Sequence, residues 1–175
     1  CLSIGTACAN SEEEVIDLRD AIKSGQVRIL EATGSGDLGP AGLDAVLRND
    51  SIDHLLIDTT IESPLYFLNE TSNARDALIA VELYLPDGGF SYFEEDSSAR
   101  FIEIPPKSPL SIQFVAYSAD LEKEPISEGD KFSYVEPSPK DLVAAAASIA
   151  AFASEHPELD ASTAEQAAVW LVQGW

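Results

Sequence analysis

LIAVELYLPDGGFSYF, residues 78–93, holds two runs of aliphatic and aromatic side chains split by Pro86-Asp87-Gly88-Gly89. β-Branched and aromatic residues suit a pleated, half-buried surface, and Pro-Asp-Gly-Gly is turn chemistry. The stretch therefore predicts two short strands, 78–85 and 90–93, joined by a tight connection. The same alternation of run and punctuation spreads outward from it. Residues 54–60, 65–68, 101–104 and 110–117 read as further strands, and 132–135 as a last short one. Ser63-Pro64, Asn69, Asp96-Ser97-Ser98 and residues 105–109 separate them as turns. Many short strands with such spacing predict an antiparallel sandwich or barrel. Pro105, Pro106 and Pro109 cannot donate ladder hydrogen bonds and belong to a loop or an edge. Residues 120–131, charged and broken by Pro125 and Gly129, predict a surface excursion.

Helical patterns flank this body. Asn10 or Ser11 opens the first, with Ser11 and Glu14 as a capping box; Val15, Leu18, Ala21 and Ile22 share a face, and Gly25 ends it. After Pro137, Ser138-Pro139-Lys140-Asp141 is a helix start, followed by an alanine-dominated run to Ser154. His156-Pro157 stops that run. Ser162 and Glu165 cap a final helix, and Gly174 ends it. The expected fold is α+β: an antiparallel β-sandwich or barrel body with an N-terminal helix and a C-terminal helical hairpin. Residues 1–10 form an export, anchor or arm segment, and 11–175 a single globular domain, β-rich over 26–135 and helical over 138–173.

One motif competes with that architecture. Residues 26–33 read as a strand, and Gly34-Ser35-Gly36-Asp37-Leu38-Gly39 after it is formally G-x-G-x-x-G. A dinucleotide site needs a helix starting inside the motif, whose free N–H groups hold the pyrophosphate. Here Pro40 follows directly, and residues 41–47 are only a short, weakly helical piece. Asp58 ends a second strand, where a ribose-binding acid would lie. The alternative is a glycine loop joining two strands.

Composition narrows the function classes. Acidic residues number 31 against 10 basic ones, a formal charge of −21. Such a surface repels nucleic acid and anionic membranes, and suits a high-salt or extracellular setting or cationic partners. No apolar run approaches the roughly 20 residues of a membrane-spanning helix. CLSIGTACA, residues 1–9, has two readings: Cys1 as a lipidated first mature residue, or Ala7-Cys8-Ala9 as the small-residue tail of a signal peptide. A Cys1–Cys8 disulfide would close only a small loop. Asn49-Asp50-Ser51 and Asn69-Glu70-Thr71 are glycosylation sequons. All of these point to export.

Few residues carry chemistry. His54 and His156 lack metal-ligand spacing, and no nucleophile elbow is present. Glu94, Glu95 and Asp96 could give oxygens to calcium, but without the spacing of a calcium loop. No cofactor is expected. Gln166 lies one helical turn before Trp170 on an otherwise apolar face, where an unpaired amide costs about 1–3 kcal/mol.

The segment EQAAVW, residues 165–170, resembles the glutamine motif of thioester domains of bacterial surface proteins. Those domains cross-link a strand cysteine to a helix glutamine, making an electrophile that captures amines. The resemblance runs from about Phe101 to Trp170 and aligns the cysteine strand with residues 114–121. Ser118 stands where the pattern has cysteine, and a hydroxyl forms no thioester. The resemblance thus implies a silent scaffold in which Gln166 hydrogen-bonds Ser118. The expected function is a non-enzymatic extracellular or cell-surface structural, adhesive or assembly subunit. Its partners would be proteins or its own copies, with no nucleic acid and no membrane contact beyond a lipid on Cys1. A ligand- or calcium-binding module is the second expectation, and an enzyme using Ser118 as nucleophile the third.

Overall fold

The computed structural model describes residues 15–36, 39–72, 76–87, 92–93, 100–119, 123–124 and 126–136, with Lys140 and Ala144. Within them the chain is mainly strand. In order come β1 (Val15–Ile16), α1 (Leu18–Lys23), β2 (Val27–Gly34), β3 (Gly39–Asn49), β4 (Leu55–Asp58), β5 (Thr60–Asn69), β6 (Leu78–Tyr84), β7 (Tyr92–Phe93), β8 (Arg100–Ile104), β9 (Pro109–Ser118) and β10 (Phe132–Val135).

Six strands form an antiparallel sheet in the order β10-β5-β6-β9-β3-β2. Its two ends curl toward each other, so the sheet is a nearly closed barrel. A second sheet, β1-β4-β8-β7, is antiparallel except where β1 runs parallel to β4. Alternation along the strands sends one set of side chains into a shared core. Ile112, Phe114 and Ala116 of β9 meet Leu65 and Phe67 of β5, Leu43 and Leu47 of β3, and Ile57 and Ile102 of the second sheet. The Phe67 and Phe114 rings lie 5.6 Å apart, tilted by 49°. The opposite phase carries a smaller cluster, Ala77, Ile79, Val115, Tyr117 and Ala119, on the outer face of β6 and β9.

The barrel-like antiparallel body agrees with the strand pattern. Several local expectations do not survive. The first helix does not run through Val15 and Ile16, which are extended and pair with β4, and α1 begins at Leu18; Ser11 and Glu14 lie outside the described residues. The cap is Asp17, whose Oδ1 accepts from the N–H groups of Arg19 at 2.9 Å and Asp20 at 3.3 Å. Gly25, at φ +77°, follows the last turn in the left-handed conformation that ends helices.

Residues 41–47 are not helical; they belong to β3, and β2 and β3 form an antiparallel hairpin. The glycine run therefore joins two strands, and no helix starts there to hold a pyrophosphate. Ser63-Pro64 is not a turn but lies inside β5, where the register with β6 shifts between Thr60 and Leu65. A bulge tolerates a proline that a regular ladder would reject. The stretch before β10 is no mere surface excursion, since Ile126 and Asp130 are buried. The expected C-terminal helical hairpin lies outside the described residues, apart from helical Lys140 and Ala144.

Candidate functional site

The barrel closes at one end of the β2–β10 seam and stays open along the rest. Gly34 N–H donates to the Asp130 carbonyl at 2.8 Å, Gly129 N–H donates to the Gly34 carbonyl at 2.9 Å, and Thr33 bridges Lys131 in antiparallel sense. A Cβ on Gly34 would sit 2.9 Å from the Ser127 carbonyl and 3.3 Å from the Phe132 ring. Glycine is what lets the two backbones approach. Beyond this point β2 is laddered only to β3 and β10 only to β5. The register of β2 on β3 slips between Ile29 and Glu31, leaving Leu30 as the extra residue of a bulge, 46% exposed. A bulge twists its strand, which turns β2 away from β10. The gap is a groove of about 590 Å³, lined chiefly by Ile22, Val27, Leu30, Ala32, Phe132 and Tyr134. Arg28, Glu31, Asp50 and Glu70 stand among its other lining residues.

The closed end is held by a buried polar network. Asp130 Oδ2 accepts from Ser127 N–H at 2.8 Å and from Asn69 Nδ2 at 3.3 Å. Asn69 Oδ1 in turn accepts from the N–H groups of Thr71 at 2.9 Å and Ser72 at 3.2 Å. Lys131 N–H donates to Thr71 Oγ1 at 2.9 Å. The open end is spanned by α1. Arg19 reaches Glu136, just past β10, with Nε to Oε1 at 2.7 Å and Nη2 to Oε2 at 3.2 Å. Tyr134 OH donates to the same carboxylate. Hydrogen bonding from Arg19, reinforced by Tyr134, holds Glu136 down at about 2. Burial, and then the neighbouring carboxylate, raise Tyr134. The groove is thus a slot with backbone edges along its sides and polar clamps at both ends.

Both sequon asparagines are interior structural residues. Asn49 is fully buried at the end of β3; its Nδ2 donates to the Ile104 carbonyl at 2.9 Å and the Asp53 carbonyl at 2.8 Å, and its Oδ1 accepts from Ser51 N–H at 2.8 Å. It ties the two sheets together. Asn69 is only 8% exposed. A glycan on either Nδ2 would displace these bonds, and burial leaves it no room.

Ser118 is buried at the end of β9, its Oγ hydrogen-bonded to Oδ2 of buried Asp76. Gln166, its expected hydrogen-bond partner, lies outside the described residues, as do Cys1, Cys8, Glu94, Glu95, Asp96 and His156. His54 Nδ1 contacts Glu103 Oε1 on the second sheet. Among the described residues no three His, Cys, Asp or Glu side chains gather as metal ligands, and no helix is long and apolar enough to cross a membrane. Asp130, Asp76, Arg19 and Glu136 went unread because each gains its role from a partner 42 or more positions away. A signal existed for the asparagines: each ends a strand and is followed by turn residues, the setting of an Asx-turn.

No family model matches the chain, and neither the curated proteins nor the solved structures give a match.

Proposed function

We propose that the chain is a non-enzymatic structural, adhesive or assembly subunit of the extracellular space or cell surface, acting through protein contacts. The observation that carries this reading is the open seam. Beyond the Thr33–Lys131 bridge, strand edges beside a groove of mixed apolar and charged lining offer a template for pairing with another chain, which monomeric proteins usually blunt. The charge of −21 weighs against nucleic acid and anionic membranes as partners. Sedimentation velocity across a concentration series in molar salt should show concentration-dependent association. Monomers alone at every concentration would remove the assembly reading.

The C-terminal helical hairpin belongs to this reading, as the cover of the outer sheet face. Val135, Tyr66, Ile79 and Tyr117 are register partners in one row across β10, β5, β6 and β9. Ile79 is 2% and Tyr117 5% exposed, yet among the described residues the apolar neighbours packed against this cluster, Tyr66, Val81 and Tyr84, belong to the same sheet. A sheet face cannot bury itself, so a second layer lies on it. Lys140 and Ala144, helical and exposed, set the phase of the alanine-rich run. On a regular helix continued in that phase, Leu142, Ala146, Ile149 and Ala153 would share the opposite side, the one this reading turns to the sheet. Ala146→Glu should cost at least about 2 kcal/mol and Ala151→Glu little. Equal effects in urea melts would refute the arrangement.

The reading extends to a chemically silent, thioester-domain-like scaffold. Its support is the EQAAVW segment and the place of Ser118 at the buried end of a strand. Ser118→Cys tests it. Proximity to Gln166 would let the new thiol attack the amide, and the intact mass would fall by one ammonia. An unchanged mass under native conditions, with Cys1 and Cys8 blocked, would end that part of the reading.

A further inference from the structure

We infer that the cations Arg28, Arg48 and Lys107, gathered where β2 begins and β3 ends, are a docking surface for the acidic surface of a second copy of this chain. This rests on the assembly reading above and names a contact for it. Arg28 and Arg48 are register partners on β2 and β3. Both turn to the outer face of the sheet, since their neighbours Val27 and Leu47 are buried. Like charges directly opposite repel, so the pair needs an anion between them. Asp50 supplies it. Its Oδ2 accepts from Arg28 Nε at 3.0 Å and from Arg28 Nη2, and its Oδ1 accepts from Arg48 Nε at 2.7 Å. Lys107 arrives from the connection between β8 and β9. Its N–H donates to the Asn49 carbonyl at 2.9 Å and its Nζ to the Asp50 carbonyl.

The cluster holds more than Asp50 requires. One guanidinium would balance that carboxylate; three cations crowd it, in a chain with 31 acidic residues and only 10 basic ones. Among the described residues no acceptor takes the two Nη groups of Arg48 or the Nη1 of exposed Arg28. Those N–H groups are a ready fork for an incoming carboxylate. Lys107 is the one non-glycine residue among those described at positive φ, +59°. Glycine or asparagine sits there more easily, so its side chain, and not its backbone, explains a lysine at this position. Ile52, two residues past Asp50, is 81% exposed, more than any other large apolar side chain among the described residues. It rides on a turn that the Asn49 side chain holds through Ser51 and Asp53. An apolar knob beside arginines with unfilled donors has the make-up of a protein contact. Charge names the occupant. Copies at −21 repel one another, and this cluster is where the chain offers the opposite sign to a neighbour's carboxylates. The cationic and acidic surfaces are different patches, so the contact is head-to-tail and copies would add in series.

Sedimentation velocity on full-length chains tests this at about 0.15 M salt. The screening length there, about 8 Å, damps repulsion between whole molecules and leaves ion pairs in contact largely intact. Arg28→Gln with Arg48→Gln removes two of the cations. Lys107→Asn removes the third, at a backbone conformation that asparagine accepts. Lys123→Gln with Lys140→Gln, both exposed and outside the cluster, matches the arginine pair in net charge and serves as control. Wild type and control should associate alike, and each cluster variant at least about tenfold more weakly. In molar salt the gap should narrow. Circular dichroism checks folding, and Lys107→Asn carries the test if the arginine variant unfolds. Cluster variants that associate as wild type does would overturn the docking surface and leave the assembly reading standing. Wild-type association found only in molar salt would do the same. A control that weakens as much as the cluster variants would also overturn it, since net charge alone would then be the cause. Absence of association in wild type at any salt would overturn both.

Discussion

Asn69 and Asp130 show how much one polar contact can decide. Asn69 closes a turn with its oxygen and steadies a buried carboxylate with its nitrogen. Asn69→Ala leaves Asp130 with one donor fewer in a buried site, and should cost about 1–3 kcal/mol in urea unfolding. A loss below a few tenths would mean that solvent replaces the amide freely. The same burial predicts that both sequons stay bare when the chain is secreted from a eukaryotic host. Intact mass is the check, and a glycan at Asn49 or Asn69 would contradict the placement of their side chains. Gly34→Ala pushes a methyl group into the Ser127 carbonyl and should destabilise by about 1–3 kcal/mol, with the seam opening first. Hydrogen exchange at Gly34 and Gly129 should then rise before exchange at β9. A variant as stable as wild type would show that the loop yields at little cost.

At the scale of elements, α1 matters less as a helix than as a strut. With six residues it is too short to stand alone, and it persists through Asp17, through buried Leu18 and Ala21, and through Arg19 on Glu136. The Arg19 hydrogen bonds lower the Glu136 carboxyl from the ordinary range near 4.5 to about 2. A lowered folded value stabilises the protein above pH 4.5, and that contribution fades as pH falls toward 2. Arg19→Ala should remove it, by about 1 kcal/mol or less because the pair is partly exposed. The variant and wild type should differ at pH 7 and converge near pH 2 in melting temperature. A constant gap would assign the loss to packing of the arginine stem. Val15 shares the apolar spacing of Leu18, Ala21 and Ile22, which local reading takes as one helix face. The pairing of Val15 and Ile16 with β4, about forty residues on, overrides that local preference.

For the whole molecule, charge is the main external lever. A surface of −21 repels itself in the folded state, and salt screens that repulsion. Melting temperature should therefore climb from low to molar salt. A fall would mean that the few cations, among them Arg48 and then Arg28, whose hydrogen bonds hold Asp50 below its ordinary range, outweigh the net repulsion. Strand positions were legible because alternation and turn chemistry are local: the expected runs at 78–85, 101–104, 110–117 and 132–135 correspond to β6, β8, β9 and β10. The glycine loop was legible as a connection for the same reason. Its neighbour β3 was not, since residues 41–47 mix alanine, leucine and valine that suit helix or strand alike, and pairing on both edges decides between them.

By itself the sequence determined a strongly acidic, antiparallel β body, because periodicity and turn residues act over a few positions. Only the tertiary structure decided that the sheet curls until β2 meets β10, that it stops short of closing, and that two sequon asparagines became interior braces. Those outcomes depend on contacts between distant residues, chiefly the Gly34–Asp130 approach, the Asn69–Asp130 bond and the slip at Leu30. No local pattern encodes which strand edge a curled sheet leaves unpaired.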